Sequence, residues 1–592
     1  MGQGRAGFIV RSMLMGLVAG LLVGVIAGSI MGMRTVNANL IGFTRDSFVI
    51  GVYFALIYGA VFAGFGWLVG LVFAALTAPG RRVRTGTVFA GAFGITLALY
   101  LFLSGMRSFN EELYFYEYSF INSHRAMQIF FALRTALIAA VAVVAGYILY
   151  RLTKRAPRTV IGCIVAFIAV ASLVVNIKSR MPVGETTTWL PPIEDDRSVP
   201  KLMLLGWDGA TWMVMDRLIE QGLMPNTQEL IERGVRADLK TIKDTVSPEI
   251  WTTIYTGKSK GYHGIAHFTY YTMAGVRRPL VPPDRGLGIG RLMMFGLRHG
   301  LIDGIIANRT LRRSTPIWCI MNKMGRSAGV VGPLVSWPAE KVEPFLISST
   351  AGDVAAKVRR GEVGPDAFRS GEVYYPEDLD ECVVSEILEQ ERWEGAVGPY
   401  LYEKYRPDFF TYYTNQPDGE QHFKWKWMEP QYYSDVTEED LAKYGDDIER
   451  EYVFLDSVLG AIMEIAGDTT NVVIVSDHGF SPTYRSIQQA GHYHGPDGIL
   501  IACGPSIREG LEIEDACVFD ITPTLLRLAD IPVAEDMEGR VLEEMIRPDF
   551  LAQHPLETTS TYETGAAKMV VRKSSVEKDL YKKLQALGYT SH

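Results

Sequence analysis

The sequence predicts an α/β domain, with a mostly parallel central sheet flanked by helices, preceded by an all-α membrane domain of five transmembrane helices. Three observations predict this. The mean hydropathy is +0.10 over 592 residues of which 21% are charged, so apolar residues must be concentrated somewhere. They are concentrated in five runs, 7–33, 48–78, 87–106, 127–150 and 160–177, each approaching or exceeding the ~20 residues that cross a bilayer. Beyond residue 200, short apolar runs alternate with helical patterns, the arrangement of a parallel sheet covered on both faces.

The five runs read as membrane spans, because a cleaved signal peptide has a shorter apolar core and is not followed by four more. With the N-terminus inside, the inner segments carry Arg5, Arg11, Arg81, Arg82, Arg84, Arg151, Lys154, Arg155 and Arg158. The outer loops carry only Arg34, Arg45, Arg107 and Arg125. Excess basic charge stays cytoplasmic, which sets the N-terminus in the cytoplasm and everything after Lys178 outside a plasma or inner membrane. The first span holds Gly16, Gly20, Gly24, Gly28 and Gly32, and the second Ala55, Gly59, Ala63, Gly66 and Gly70. Small residues at this spacing let helix backbones approach closely, within the chain or between copies in a homo-oligomer.

The domain plan is therefore a transmembrane region at 1–178, a polar, proline-bearing linker at 179–200, an α/β domain at 201–545 and a polar tail with a short helix at 546–592. Within the α/β domain, 201–206, 328–331, 409–413 and 472–475 read as strands, and 213–233 and 451–465 as amphipathic helices. The net charge of −8 opposes nucleic-acid binding. Five cysteines without a closely spaced pair oppose a thiolate zinc site and a disulfide framework. An aromatic content of 11% excludes disorder.

In open α/β sheets, ligands bind at the carboxyl ends of strands. There LMLLGWDGA delivers Asp208, TYYTNQPDGEQH delivers Asp418 and His422, VVIVSDHGF delivers Asp477 and His478, and AGHYHGPDGILIACG presents His492 and His494. Aspartate and neutral histidine suit zinc or manganese. One strand-end Asp is an ordinary turn or cap residue; four such segments in one domain point to a metal site. A fifth segment, TVSPEIWTTIYTGKSKGYHGI, places Ser247 before Pro248 at the start of a helical run. Spacing alone favours a capping role for Ser247.

Taken in order, WDGATW, SPEIWTTIYTGKSKGYHGI, STPIWCIMNKMGRSAGVV, PDGEQH, SDHGF, HGPDGILIACGP and DITPTLLRLADIP resemble the alkaline phosphatase superfamily, in its type I phosphodiesterase/nucleotide pyrophosphatase branch. The resemblance spans about 201–542. It implies an alkaline phosphatase-like fold and two divalent metals, most simply zinc, with manganese as the alternative. Asp418, His422 and His494 would hold one metal; Asp208, Asp477 and His478 would hold the other, with Ser247 touching it as the nucleophile of a covalent phosphoserine step. His492 competes with His494 for the third position of the first set. Ile250 stands where many nucleotide pyrophosphatases are expected to carry a phosphate-binding Asn, which weakens a nucleotide substrate.

Five spans ahead of such a domain also resemble lipoteichoic-acid synthases and phosphoethanolamine transferases. The combination implies a membrane-anchored phosphodiesterase or phosphotransferase acting on a phosphate ester of an envelope lipid or glycan. An ecto-type nucleotide pyrophosphatase and a non-catalytic scaffold are the alternatives; the filled ligand and nucleophile positions disfavour the scaffold. An insertion at about 266–313 carries Leu292, Met293, Phe295, Leu297, Leu301, Ile302, Ile305 and Ile306 beside Arg291, Arg298 and Arg309. That pattern fits either a core-facing helix or one resting on lipid.

Overall fold

The computed structural model describes residues 2–39, 41, 44–77, 87–89, 91–100, 199–243, 245–281, 302–363, 373–374, 393–433, 435–482, 490–491, 496–563, 572–574 and 576–586. They fall into two units: Met1–Met181 with Tyr270–Gly304 and Ser591–His592, and Pro182–Thr269 with Ile305–Thr590.

The first unit is built on α1 (Gly2–Ala38) and α2 (Arg45–Leu76). Arg5–Asn37 and Arg45–Leu76 have mean hydropathies of 2.3 and 2.1, long and apolar enough to cross a membrane. A third apolar helix is described over Thr87–Tyr100; the expected spans at 127–150 and 160–177 lie outside the described residues. The glycine stripe is used within the chain. A Cβ on Gly16, Gly20, Gly24 or Gly28 would lie 2.0–2.3 Å from a backbone oxygen of α2, so only glycine permits this approach. The opposite face of α2 stays open, with Phe48 73%, Leu56 67% and Leu76 82% exposed. Apolar exposure on that scale suits contact with lipid tails. Residues 271–281 join this unit: Tyr271 and Leu280 pack in its core, and Asn39 Oδ1 accepts the Val281 N–H at 2.6 Å.

Among the described residues, the second unit carries a nine-stranded sheet. Its strands are β1 (Lys201–Trp207), β2 (Val235–Leu239), β3 (Ala328–Val331), β4 (Pro344–Ile347), β5 (Val373–Tyr374), β6 (Phe409–Thr414), β7 (Thr470–Val475), β8 (Gly498–Cys503) and β9 (Leu511–Glu512). The spatial order is β9-β2-β8-β7-β1-β6-β3-β4-β5. β1 lies between β6 and β7 in parallel register, Leu204 opposite Thr411 and Val473. β8 is antiparallel to both β2 and β7, and β5 to β4, so the sheet is mixed around a parallel centre.

Both sheet faces are covered, as near-continuous apolar strands require. Leu202 and Leu204 of β1 enter one core layer, and Met203 and Leu205 the other. Each fully buried side chain of this kind contributes about 1.5–3 kcal/mol. Trp251 and Ile254 of α4 (Ser247–Thr256) fill the first layer. The second is filled by α3 (Trp212–Glu220), α5 (Ala351–Arg359), α6 (Trp393–Tyr405), α7 (Gln416–Met428) and α8 (Asp447–Ala466). A further helix, α9 (Glu577–Ala586), follows the fully buried Val576.

Two expectations change. The single helix at 213–233 is two, Trp212–Glu220 and Pro225–Glu232. Gly222 takes a positive φ of 72° between them and Pro225 starts the second, where its missing N–H costs nothing. In the insertion, Asp303–Ile306 is a strand paired with Thr269–Thr272, not helix; ladder pairing overrides the helical spacing of Ile302, Ile305 and Ile306. Residues 282–301 of the expected helix lie outside the described residues.

Candidate active site

Parallel strands release their side chains at one edge, and the chemistry gathers there. β1 ends at Trp207 and delivers Asp208; β6 ends at Thr414 and leads into α7 with Asp418 and His422; β7 ends at Val475 and is followed by Asp477 and His478. Asp208, Asp418 and His478 each offer a ligand atom within 4.8 Å of the others, and all three are buried. His478 Nε2 is 3.6 Å from Asp208 Oδ1, 3.9 Å from Asp418 Oδ1 and 3.4 Å from Asp477 Oδ2. His422 Nε2 lies 3.5 Å from Asp418 Oδ1, one helical turn along α7. His492 and His494 lie outside the described residues, so the choice between them stays where the sequence left it.

Ser247 joins this group. The helix α4 begins at Ser247 itself, its N-cap is Val246, and the Ser247 hydroxyl is 3.2 Å from His478 Nε2. The capping role that spacing favoured is therefore not what the hydroxyl does. His478 Nδ1 faces the Gly479 carbonyl oxygen at 3.1 Å. A proton donated there leaves the Nε2 lone pair directed at the cluster, the tautomer a metal ligand needs.

The sequence missed the residues that set up this geometry. Trp251 Nε1–H and the Tyr413 hydroxyl both donate to Asp208 Oδ2, at 2.9 and 2.6 Å, turning Oδ1 toward the cluster. Gly209 has φ +71°, and a Cβ there would be 3.0 Å from both Cα and Cβ of Asp418. Its N–H donates to Asp477 Oδ1 at 3.3 Å, and the Asp418 N–H donates to the Asp208 carbonyl at 3.0 Å. Gln421 extends this frame: its amide donates to the Gly209 carbonyl and its oxygen accepts from Tyr452. The one sequence signal for Gly209 is its place in an Asp-Gly turn. Ile250 is fully buried in the core layer, so that position offers no polar contact to a substrate.

Electrostatically the cluster needs a cation. Burial first, and then the neighbouring Asp418 carboxylate, push Asp477 up to about 7. Burial raises Asp208 well above the ordinary carboxylate range, with Asp477 and Asp418 adding to the shift and His478 and Tyr413 opposing it. Asp208 Oδ1 and Asp477 Oδ2 are buried and accept no hydrogen bond. Carboxylate oxygens left in this state, converging with imidazole nitrogens, fit a divalent metal. A cavity of about 910 Å³ opens from Asp208, Ser247 and Asp418.

The model of the family described as type I phosphodiesterase/nucleotide pyrophosphatase matches residues 202–518, more than half of the chain. The chain belongs to this family. It is a phosphoric ester hydrolase of the alkaline phosphatase superfamily. Among solved structures, murine ectonucleotide pyrophosphatase/phosphodiesterase 5, an inactive variant in complex with AMP, is similar at 12% identity. A second structure of murine ectonucleotide pyrophosphatase/phosphodiesterase 5 and one of its human counterpart are similar at 13%. Each alignment covers 59% of this chain and all of the other, with a TM-score of 0.37. No curated protein matches the chain. For a phosphodiesterase of this family, the buried Asp and His residues at the strand ends are the groups suited to holding divalent metal beside Ser247.

Proposed function

We propose that this family member is a membrane-anchored, metal-dependent phosphodiesterase or phosphotransferase acting on an envelope lipid or glycan, through a phosphorylated Ser247. The observation that carries the proposal is the Ser247 hydroxyl standing 3.2 Å from His478 Nε2 beside the carboxylate cluster. Asp208, Asp477 and His478 would hold one divalent ion, and Asp418 and His422, with His494, the other; zinc suits this donor set best. Bound there, such ions neutralise the carboxylates and stabilise charge on the phosphate oxygens. Ser247 Oγ would form the new bond to phosphorus as the ester P–O bond breaks. The departing alcohol leaves through the cavity, and water or a second alcohol then takes the phosphoryl group from Ser247.

The apolar helices support membrane anchoring. In the first unit, the turn between α1 and α2 holds the insertion: Asn39 bonds the Val281 backbone, and Arg277 lies 3.6 Å from Asp46. The excess of basic residues in the expected inner segments supports a cytoplasmic N-terminus and an extracytoplasmic catalytic domain. A lipid substrate also gives the anchor a purpose that a soluble nucleotide lacks. The test is metal-dependent turnover of an envelope lipid extract by the full-length chain, with products identified by mass spectrometry. Release or transfer of a phospho head group is the expected result. High turnover of nucleotide diesters with the lipid extract untouched would replace this reading with an ecto-type nucleotide pyrophosphatase.

A further inference from the structure

We infer that α9 forms the wall of a subsite that receives the uncharged, apolar substituent of the phosphodiester. The inference rests on the phosphodiesterase reading of the same site. α9 has the sequence EKDLYKKLQA, too short and too charged to hold as a helix without tertiary anchors. The anchors are visible. Val576 is fully buried in the second core layer, with Leu580 packed against that layer. Glu577 accepts the Ile306 N–H at 2.7 Å. Two ion pairs join α9 to α5: Asp579 with Lys357 at 2.9 Å, and Lys583 with Asp353.

Held in this way, α9 lines the cavity that begins at Ser247. Leu580 and Leu584 share its lining with Phe268, Trp337 and Phe423. The charges point to the same class of ligand. Among the described residues lining the cavity, Lys583 is the only Lys or Arg, and it is paired with Asp353; Glu420 is likewise paired, with Lys424 at 2.8 Å, and Glu577 accepts the backbone N–H groups of Ile306 and Ser574. A substituent bearing further phosphates would find no uncommitted Lys or Arg among these lining residues. An alkyl or acyl chain would instead exchange water for leucine and aromatic surface, a gain of about fourfold in affinity per buried methylene.

The test uses the full-length, zinc-loaded chain and a series of p-nitrophenyl alkyl phosphates from methyl to octyl. Calorimetric binding of methylphosphonate and octylphosphonate is measured in parallel. The expected result is that kcat/KM and phosphonate affinity both rise with chain length. Leu584→Glu should then lose at least about tenfold on the octyl compounds while the methyl compounds change little. Should Leu584→Glu fail to fold, Leu584→Trp is the second variant, and its optimum should move to shorter chains. An octyl compound no better than methyl in the native protein, or an equal loss on both in the variants, overturns the subsite. Those outcomes with normal methyl-ester turnover leave the phosphodiesterase reading standing. Conversely, no turnover of any diester, with octylphosphonate still preferred and Leu584→Glu abolishing that preference, removes the phosphodiesterase reading and retains the apolar wall.

Discussion

Asp208 accepts hydrogen bonds from Trp251 and Tyr413 on Oδ2 and turns Oδ1 to the cluster, so its orientation is set before any metal arrives. Asp477 makes the energetic consequence measurable, because its folded value of about 7 lies above the ordinary aspartate value of 3.8. Below the ordinary value, the folded and unfolded states of the metal-free protein both hold the proton, and the stabilising contribution is fully present. As pH rises toward 7, the unfolded state loses its proton first, so stability is lost across that window. The thermal midpoint of metal-free protein should therefore fall between pH 5 and pH 8, and zinc should oppose the fall at pH 8. Asp477→Asn should flatten the pH dependence and lower zinc occupancy, since a neutral amide is a poor ligand for a dication. An unchanged pH slope in the variant would contradict the assignment of this proton. The acids themselves were legible in sequence, because an apolar run ending in Asp or Asp-His marks a strand's carboxyl end. Their supports were not: Trp251 and Tyr413 lie 43 and 205 positions from Asp208, and only the folded sheet brings them to one carboxylate.

At the scale of elements, close approach depends on residues that lack a side chain. The four-residue glycine period of α1 announced a packing stripe, and α2 occupies it with its backbone oxygens against Gly16, Gly20, Gly24 and Gly28. Gly64 of α2 is the internal control, with nothing within 4 Å of its would-be Cβ. Gly20→Leu should separate the helices and lower the thermal midpoint of the detergent-solubilised chain by several degrees. Gly64→Leu should leave it unchanged. Equal midpoints for the two variants would show that the stripe does not hold the helix pair. Where sequence periodicity failed, tertiary pairing overrode it: Ile305 and Ile306 lie at helical spacing from Ile302, yet they form a ladder with the strand at Thr269–Thr272. Gly222 and Pro225 split the expected helix at 213–233 through backbone conformation that an apolar count does not register.

For the whole molecule, a sheet with a parallel centre aims Asp208, Asp418, Asp477 and His478 at one edge and brings α4 there with Ser247. The apolar α1 and α2 belong to the other unit and suit a bilayer. The strand-end motifs made the hydrolase class legible, because each holds its chemistry within a few residues. The substituent subsite was not legible, since α9 lies more than 300 residues beyond Ser247 in the chain and reads in isolation as a polar tail. The proposed chemistry has the chain break phosphoesters with Ser247 as the attacking group. Its most direct test measures diester turnover and bound metal on the same preparations of native and Ser247→Ala protein. The same metal content is expected in both, with a loss of turnover of at least about 10³-fold in the variant, because a covalent step is deleted while the ligand side chains remain. Alanine protein with full metal and near-normal turnover would contradict it.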